Sequence, residues 1–308
     1  MHRLLITHPL PSAVSDHASA QGVELDVHNS ETPMPHAQLA ERLRDKHALV
    51  CTVNDRIDAE LLGAAPQLRV VANCAVGFDN IDVDAATHAG VQVTNTPDVL
   101  TDATADLAMA LILATARRIP EGDRHLRAGN YRHWKLHQEQ LGLDVFGQTL
   151  GIFGLGRIGR AVAYRAQRGF DMTVLATSRT QPAASELPSL DVEFVDFDDL
   201  LARSDIISIH APMTESTHHI FDAAAFERMT SSSILVNTAR GALVDEAASH
   251  GRWTPAKSGG RDWTCSKPNR TSTPASYAIT TGSCSSHTSA AQRNARVGAW
   301  PRSRWTTR

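Results

Sequence analysis

Residues 150–159 read Leu150-Gly151-Ile152-Phe153-Gly154-Leu155-Gly156-Arg157-Ile158-Gly159, an apolar strand followed by a glycine pattern. Gly154 permits a tight turn out of the strand, Gly156 lets the backbone approach a pyrophosphate, and Gly159 lets the next helix pack against the sheet. An amphipathic stretch and a second apolar strand, 172–176, complete a βαβ unit of the expected size. The pattern therefore favours a dinucleotide-binding loop over a merely structural glycine-rich turn.

The end of the second strand is where such units read the ribose of the dinucleotide. An Asp or Glu about 20 residues after the glycines would bind a 2′-hydroxyl group, but the strand runs into Thr177-Ser178-Arg179-Thr180. The Arg179 guanidinium suits a 2′-phosphate, and Ser178 and Thr180 offer further donors. The alternative is a solvated surface arginine. The missing carboxylate favours NADP(H), with NAD(H) left open.

Length and composition indicate a globular protein of two domains. A chain of 308 residues is long enough for two cores, and its net charge of −3 and 42% hydrophobic residues fit this class. The first residues turn polar too soon for a signal peptide, and the most apolar helix is too short to span a bilayer, so we expect a cytoplasmic protein with no membrane partner. The cysteines lack metal-ligand spacing, so no metal is predicted, and Cys51 and Cys74 are expected to be buried thiols.

Predicted strands and helices alternate along the first 248 residues. This order predicts an α/β fold of two doubly wound parallel sheets. A long helix is expected to be capped near Thr101 or Asp102, and the domain boundary is placed near Asp98, where Asn95-Thr96-Pro97-Asp98 interrupts the pattern. The predicted strands are 3–7, 24–28, 48–53, 69–74, 91–95, 150–153, 172–176, 193–195, 205–210 and 233–237.

A loop of mixed character, Ala75-Val76-Gly77-Phe78-Asp79-Asn80-Ile81-Asp82, follows one of the buried strands. It presents free backbone N–H groups at the carboxyl end of a strand, where open α/β sheets bind ligands, and this suits a small carboxylate. The alternative is a structural loop in which Gly77 has a positive φ and Asp82 caps a helix. The residues by themselves leave both interpretations open.

Two further strands end in polar residues. The segment Val236-Asn237-Thr238-Ala239-Arg240-Gly241 leaves Arg240 at the carboxyl edge of the nucleotide-binding sheet. A lone arginine is usually a surface charge, but at this edge it can hold a substrate carboxylate and polarise a carbonyl group. His210-Ala211-Pro212 ends the preceding strand. Because no carboxylate adjoins His210 in sequence, we expect it to line the cofactor pocket and not to act as an acid or base.

Together these segments resemble the D-isomer-specific 2-hydroxyacid dehydrogenases, and within that family the glyoxylate/hydroxypyruvate reductases. The resemblance covers residues 4–246 and includes Thr101-Asp102-Ala103-Thr104-Ala105-Asp106. It implies a Rossmann NAD(P)-binding domain, 99–248, inserted in a flavodoxin-like substrate domain that begins with residues 1–98. It further implies a homodimer, formed largely by the nucleotide domains, and a small 2-oxo or 2-hydroxy acid as substrate.

The same resemblance implies roles for individual residues. Val76 and Gly77 bind the substrate carboxylate, and Arg240, as the catalytic residue, orients the 2-oxo acid while hydride passes from the nicotinamide to its carbonyl carbon. A His held by a Glu supplies the proton, a pairing that raises the imidazole pKa. The cofactor-binding residues are then Thr104, Gly154, Leu155, Gly156, Arg157, Ile158, Gly159, Ser178, Arg179, Thr180, His210, Ala211, Pro212, Thr217, Thr238 and Ala239.

Residues 249–308 differ in composition from the rest of the chain. They hold 10 Lys and Arg against the single Asp262, 19 Ser and Thr, four of the five tryptophans, and no Leu, Phe, Met or Glu. Such a segment cannot bury enough apolar surface to offset the entropy of ordering, so we expect a low-order or misfolded tail. The alternative is a basic arm for nucleic acid; the scattered arginines lack an aromatic–basic repeat, and no nucleic acid partner is predicted.

The tail also lacks the family segments that carry the Glu and the His, approximately Leu-Asp-Val-Phe-Glu and Pro-His-Ile-Gly-Ser. The genetic code recovers both in one shifted frame. The single codon of Trp263, TGG, fixes the start of the first segment, and the second falls on residues 286–291. We therefore hypothesise a frameshift just after Ala248. His287 falls near the family's histidine but in foreign surroundings.

Two functions follow from this sequence. The first is a reductase that converts glyoxylate or hydroxypyruvate to glycolate or D-glycerate with NADP(H), impaired in this chain because the His–Glu pair is absent. The second is a catalytically inactive nucleotide-binding protein that senses the cofactor. Cofactor oxidation with glyoxylate separates the two.

Overall fold

The computed structural model describes residues 2–30, 32–134, 141–183, 187, 189–252, 264–265 and 277–279. The chain divides into two compact units, Met1–Asp98 and Val99–Arg308. Within each unit helices and strands alternate, and the paired strands are parallel. The predicted fold class, two doubly wound α/β sheets, is confirmed.

The first unit is a five-stranded sheet in the order β2-β1-β3-β4-β5, which is the flavodoxin-like arrangement. Apolar residues of the strands and of the helices packed against them, such as Leu5, Leu39, Leu61 and Val71, form its core. The strands are β1 (Arg3–Ile6), β2 (Glu24–Val27), β3 (Ala48–Cys51), β4 (Val70–Asn73) and β5 (Gln92–Thr94), and the helices are α1 (Ser12–Ala20), α2 (His36–Leu43), α3 (Ala59–Gly63) and α4 (Val83–His88).

The second unit is a seven-stranded sheet in the order β11-β12-β10-β9-β6-β7-β8. Two hydrophobic clusters lie in this unit, one that includes residues of α5 and α7 and one that includes residues of α8 and α9. The strands are β6 (Thr149–Phe153), β7 (Thr173–Thr177), β8 (Val192–Phe194), β9 (Ile206–Ile209), β10 (Ile234–Asn237), β11 (Thr264–Cys265) and β12 (Tyr277–Ile279), and the helices are α5 (Thr101–Ala116), α6 (Ile119–Arg127), α7 (Arg157–Phe170), α8 (Phe197–Arg203), α9 (Ala223–Arg228) and α10 (Glu246–Arg252).

Several short helices begin at an aspartate side chain. Asp58 accepts a hydrogen bond from the backbone N–H of Leu61 at the start of α3, and Asp82 accepts one from Ala85 at the start of α4. Asp196 and Asp222 cap α8 and α9 in the same way. Each cap satisfies an N–H group that would otherwise lack a partner in the first turn.

The long helix α5 does not follow the predicted cap. Its N-cap is Leu100, without a side-chain hydrogen bond, and Thr101 and Asp102 already lie in the first turn. The carboxylate of Asp102 instead pairs with Arg165 of α7, as does that of Asp106. Asp102 therefore helps to hold α5 against α7.

The two cysteines of the first unit differ in exposure. Cys51 is buried as predicted, but Cys74 is exposed, so that expectation was wrong for Cys74. Cys74 is the first residue after β4, and alternation along the chain places its side chain opposite that of the buried Asn73.

Among the described helices, none combines the length and the apolar character that crossing a membrane requires. The tail predicted to have low order, 249–308, falls mostly outside the described residues. Its described parts are the end of α10 and the two short strands, β12 paired with β10 and β11 paired with β12.

Candidate functional site

Four candidate loops of the second unit follow adjacent strands of one parallel sheet. The strands β10, β9, β6 and β7 are neighbours in that order, and each is followed by one of the segments 238–240, 210–212, 154–159 and 178–180. The carboxyl ends of parallel strands lie at the same edge, so the loops lie along one edge. The glycine loop lies at the point where the strand order reverses, the usual place for a dinucleotide.

Each of the three glycines in this loop has different structural surroundings. Gly154 has a φ of +98°, and a Cβ there would lie 2.5 Å from the backbone nitrogen of Ala211. A Cβ on Gly159 would collide with the carbonyl oxygen of Gly154. Gly156, the N-cap of α7, has a φ of −76°, and a Cβ there would have no neighbour within 4 Å. The space in front of Gly156 is therefore open to a ligand.

The residues present fit a dinucleotide cofactor. The first turn of α7, which contains Arg157 and Ile158, offers backbone N–H groups to a pyrophosphate at the open side of Gly156. Leu155, within the loop, is buried in the hydrophobic core of this unit. In α5, the hydroxyl oxygen of Thr104 is buried and has no hydrogen-bond partner among the described atoms. A buried polar atom without a partner is costly, so an external polar group is the expected partner of Thr104.

The loop after β7 carries Arg179, the residue predicted to bind a 2′-phosphate. Arg179 and Thr180 are exposed and Ser178 is half-buried. The strand end itself is fixed, because the hydroxyl of Thr177 donates to the carbonyl of Val195 at 2.8 Å. Within the described part of the chain, Arg179 forms no hydrogen bond or ion pair, and its guanidinium group is available to an anion.

His210 links the ends of β9 and β10. Its Nε2 lies 2.8 Å from the hydroxyl of Ser208 and its Nδ1 lies 3.3 Å from that of Thr238. Burial lowers the pKa of His210 to about 4, because desolvation penalises the charged imidazolium. His210 is therefore neutral near pH 7, in keeping with a lining and positioning role.

The segment after His210 contains the predicted cofactor residues Ala211, Pro212 and Thr217. Ala211 is buried against the glycine loop and Pro212 is exposed. The hydroxyl of Thr217 donates to the carbonyl of Pro212 at 2.9 Å and accepts from the backbone N–H of Thr214 at 2.8 Å. These two bonds make Thr217 part of the local turn.

Arg240 stands on a turn that Asn237 holds. Asn237 is fully buried at the end of β10, and its side chain donates to the carbonyl of Arg240 at 2.8 Å and accepts from the backbone N–H of Ala239 at 2.9 Å. The Arg240 guanidinium donates to the carbonyl of Ala239 at 3.1 Å and is half-buried. Asn237 thus fixes the backbone that carries Thr238, Ala239 and Arg240.

In the first unit, the loop that contains Val76 and Gly77 follows β4. Asp82 caps α4 as the structural alternative predicted, but Gly77 does not have a positive φ, so that part of the alternative was wrong. Two residues that the sequence reasoning missed hold this loop: Asn73 donates to the carbonyl of Gly77 and Asn95 to that of Val76, both at 2.8 Å. A polar residue ending the apolar strand β4 was the available signal for Asn73.

No group of three or more His, Cys, Asp or Glu side chains able to hold a metal ion occurs among the described residues. Most of the tail segments 261–267 and 286–291, including His287, lies outside the described residues. The fold and the glycine loop define a Rossmann-type dinucleotide-binding protein.

Comparisons with known proteins identify the family. Residues 109–250 match the model "D-isomer specific 2-hydroxyacid dehydrogenase, NAD binding domain". A glyoxylate reductase of Korarchaeum cryptofilum is 45% identical over 250 residues, which cover 80% of this chain and 73% of that protein. The chain belongs to the D-isomer-specific 2-hydroxyacid dehydrogenase family, whose members are NAD(P)-dependent oxidoreductases.

Solved structures agree with this. The TT0316 protein of Thermus thermophilus superposes with a TM-score of 0.74 at 42% identity, covering 81% of this chain and 77% of that one. A glyoxylate reductase from Paecilomyes thermophila gives 0.72 at 32% identity, covering 84% of this chain and 79% of that one. A nicotinamide cofactor and a small 2-oxo or 2-hydroxy acid substrate are therefore supported.

Proposed function

We propose that the protein is an NADPH-preferring reductase of glyoxylate or hydroxypyruvate, with glycolate or D-glycerate as the product. The observation that carries this proposal is the 45% identity to a glyoxylate reductase over 80% of the chain. The glycine loop with its open Gly156 supports it, as does the Thr104 hydroxyl of α5, which has no hydrogen-bond partner among the described residues.

The residues divide the work between cofactor and substrate. When bound, the reduced nicotinamide supplies the hydride. The α7 N-terminus holds the pyrophosphate, Thr104 hydrogen-bonds the nicotinamide end, and His210 and Thr238 fix the strand ends around it. Val76 and Gly77 bind the substrate carboxylate through backbone N–H groups, and the Arg240 guanidinium orients the 2-oxo acid and polarises its carbonyl group.

The preference for NADPH rests on the loop after β7. Arg179 is exposed and binds no other described residue, and no carboxylate lies in Thr177–Thr180 to bind a ribose 2′-hydroxyl. The substitution Arg179→Ala should weaken NADPH binding about 10-fold and leave NADH binding unchanged, because a charge-assisted contact to the 2′-phosphate is lost. Equal losses for both cofactors in a binding titration would contradict this preference.

We also propose that a frameshift just after Ala248 has removed the proton donor. The family match ends at residue 250, which supports a change of frame close to that point. Without the His–Glu pair, the chain retains cofactor binding but loses the proton-transfer contribution, typically about 10²–10⁴-fold in rate.

The test compares the present chain with a restored chain, in which the codons after Ala248 are translated in the shifted frame that encodes the family segments. Both should bind NADPH, and the restored chain should oxidise it with glyoxylate at least about 100-fold faster. Sequencing the coding DNA around codon 248 is the companion measurement. An uninterrupted frame together with full activity of the present chain would refute the frameshift and leave the reductase proposal standing.

A homodimer is the proposed assembly. Among the described residues of the segment 119–146, six large apolar side chains are exposed, and exposed apolar surface of this kind is typical of a protein–protein contact. Sedimentation should give a dimer, and replacing two of the aromatic side chains with Ser should shift it toward monomer. These side chains are Ile119, Leu126, Tyr131, Trp134, Leu141 and Phe146.

A further inference from the structure

The loop after β4 has three successive carbonyl groups already bound. The carbonyl of Ala75 accepts from the backbone N–H of Thr96 at 2.9 Å. That of Val76 accepts from the side-chain amide of Asn95, and that of Gly77 from the side-chain amide of Asn73, both at 2.8 Å. Each of the three peptide planes therefore has a fixed orientation.

Peptide geometry then determines where the N–H groups point. The described peptide bonds are not cis, and in a planar trans peptide the C=O and the following N–H point in opposite directions. The three carbonyl groups point toward their hydrogen-bond donors. The N–H groups of Val76, Gly77 and Phe78 therefore point away from those donors. In the described part of the chain, none of these three N–H groups donates a hydrogen bond. The loop thus presents three consecutive free donors.

The two asparagines hold the loop from different places. Asn73 is the last residue of β4 and is 1% exposed, and its Oδ1 accepts from the Cys51 thiol at 3.6 Å. Asn95 lies after β5 and is exposed. Asn80, at the far end of the loop, donates to the carbonyls of Thr52 and Asp55 at 3.1 and 3.0 Å. Side-chain amides therefore fix the loop at its start, middle and end.

We propose that Asn73 and Asn95 are positioning residues for the substrate carboxylate, and that the N–H of Phe78 is a third donor beside those of Val76 and Gly77. This inference rests on the proposed function. Neither asparagine touches the substrate. They preorganise the donors, so that an anion binds without the cost of turning three peptide planes.

The experiment titrates the full chain, saturated with NADPH, with oxamate, an unreactive carboxylate that mimics a 2-oxo acid. The variants are Asn73→Ala and Asn95→Ala. Asn54→Ala is the matched control, because Asn54 is an exposed asparagine of the same unit whose side chain forms no described hydrogen bond. Calorimetry measures the dissociation constants of oxamate and of NADPH, and a thermal melt monitors folding.

Each positioning variant should raise the dissociation constant of oxamate about 10-fold. The NADPH constant should stay unchanged in both variants, and Asn54→Ala should match the parent in every measurement. Because Asn95 is exposed, Asn95→Ala should also keep the parent melting temperature, which separates positioning from loss of fold.

Three outcomes would overturn the inference. Undiminished oxamate binding by both variants removes the positioning role and leaves the proposed function intact. Equal weakening of oxamate and NADPH indicates a general structural effect. Failure of the parent chain to bind oxamate while it binds NADPH overturns the inference and the proposed substrate site together.

Discussion

The glycine loop after β6 and the asparagine-held loop after β4 solve a similar problem by opposite means. Both follow a strand of a doubly wound sheet and both leave backbone N–H groups for an anion. The first is shaped by missing side chains, since a Cβ on Gly154 or Gly159 would meet backbone atoms. The second is shaped by added side chains, the amides of Asn73 and Asn95. The first should therefore be sensitive to added atoms and the second to removed ones.

The largest expected effect is the addition of one methyl group to the glycine loop. Gly154→Ala should lower the free energy of unfolding of the second unit by about 3 kcal/mol, because the position combines a positive φ with backbone atoms closer than van der Waals contact. Chemical denaturation measures this. Gly169→Ala, in α7 with no neighbour near its Cβ, is the control and should be neutral or slightly stabilising. A Gly154→Ala protein as stable as this control would show that the loop tolerates added atoms.

The next effect separates binding from folding within the same loop. Gly156→Ala should weaken NADPH binding about 100-fold, because the added methyl group would occupy the open space in front of the α7 N-terminus. Its free energy of unfolding without cofactor should equal that of the parent, because φ there suits any residue and no protein atom lies nearby. Cofactor titration and denaturation measure the two quantities. Unchanged NADPH affinity would place the cofactor elsewhere.

Acid should weaken the second unit next to its glycine loop. Burial lowers the pKa of His210 to about 4 from its ordinary value of 6.5. Between these values the unfolded chain binds a proton that the folded chain does not, so stability present above pH 6.5 is lost as the pH falls toward 4. A shift of this size corresponds to a loss from His210 of about 3 kcal/mol. His210→Gln should flatten this pH dependence of the unfolding free energy, and an equal slope in parent and variant would contradict it.

The smallest effect concerns a cap in the first unit. The N–H of Leu61 lowers the pKa of Asp58, with His36 and Arg56 as further causes. Asp58→Ala should cost about 1 kcal/mol near pH 7, and Asp58→Asn less, because the amide oxygen still caps α3. The charge contribution is present above pH 3.8 and is lost as the pH falls through the lowered pKa. Denaturation near pH 7 and at a pH below the lowered pKa of Asp58 measures both contributions. The control is Asp16→Ala, because Asp16 is an exposed aspartate in α1.

The alternation of apolar runs and helical stretches predicted the fold class because buried parallel strands leave a strong signal in sequence. Helix α1 was indicated only by the alternation of strands and helices and was not delimited, since it buries none of its residues and so has no apolar periodicity. The exposure of Cys74 depended on where β4 ends, a boundary that an apolar run does not fix to one residue.

The candidate site divides in the same way. The glycine loop has a residue-type signature, so it was located from the sequence alone. Asn73 and Asn95 donate to the carbonyl oxygens of Gly77 and Val76. Because every residue has a backbone carbonyl, residue types do not indicate which carbonyl is bound. Their role depends on a contact that spans 19 residues for Asn95, which only the folded chain reveals. The individual site assignments stay predictions until the titrations are done.

Arg179 carries a consequence for how this protein can change over evolutionary time. Its side chain is exposed and forms no hydrogen bond or ion pair with another described residue, so its replacement should cost the fold almost nothing. If Arg179 binds the 2′-phosphate as proposed, a mutation there alters which nicotinamide dinucleotide is accepted without first requiring a stabilising change elsewhere. With that proposed role, coenzyme choice and foldability are separable traits in this chain, and selection can act on the first while leaving the second untouched.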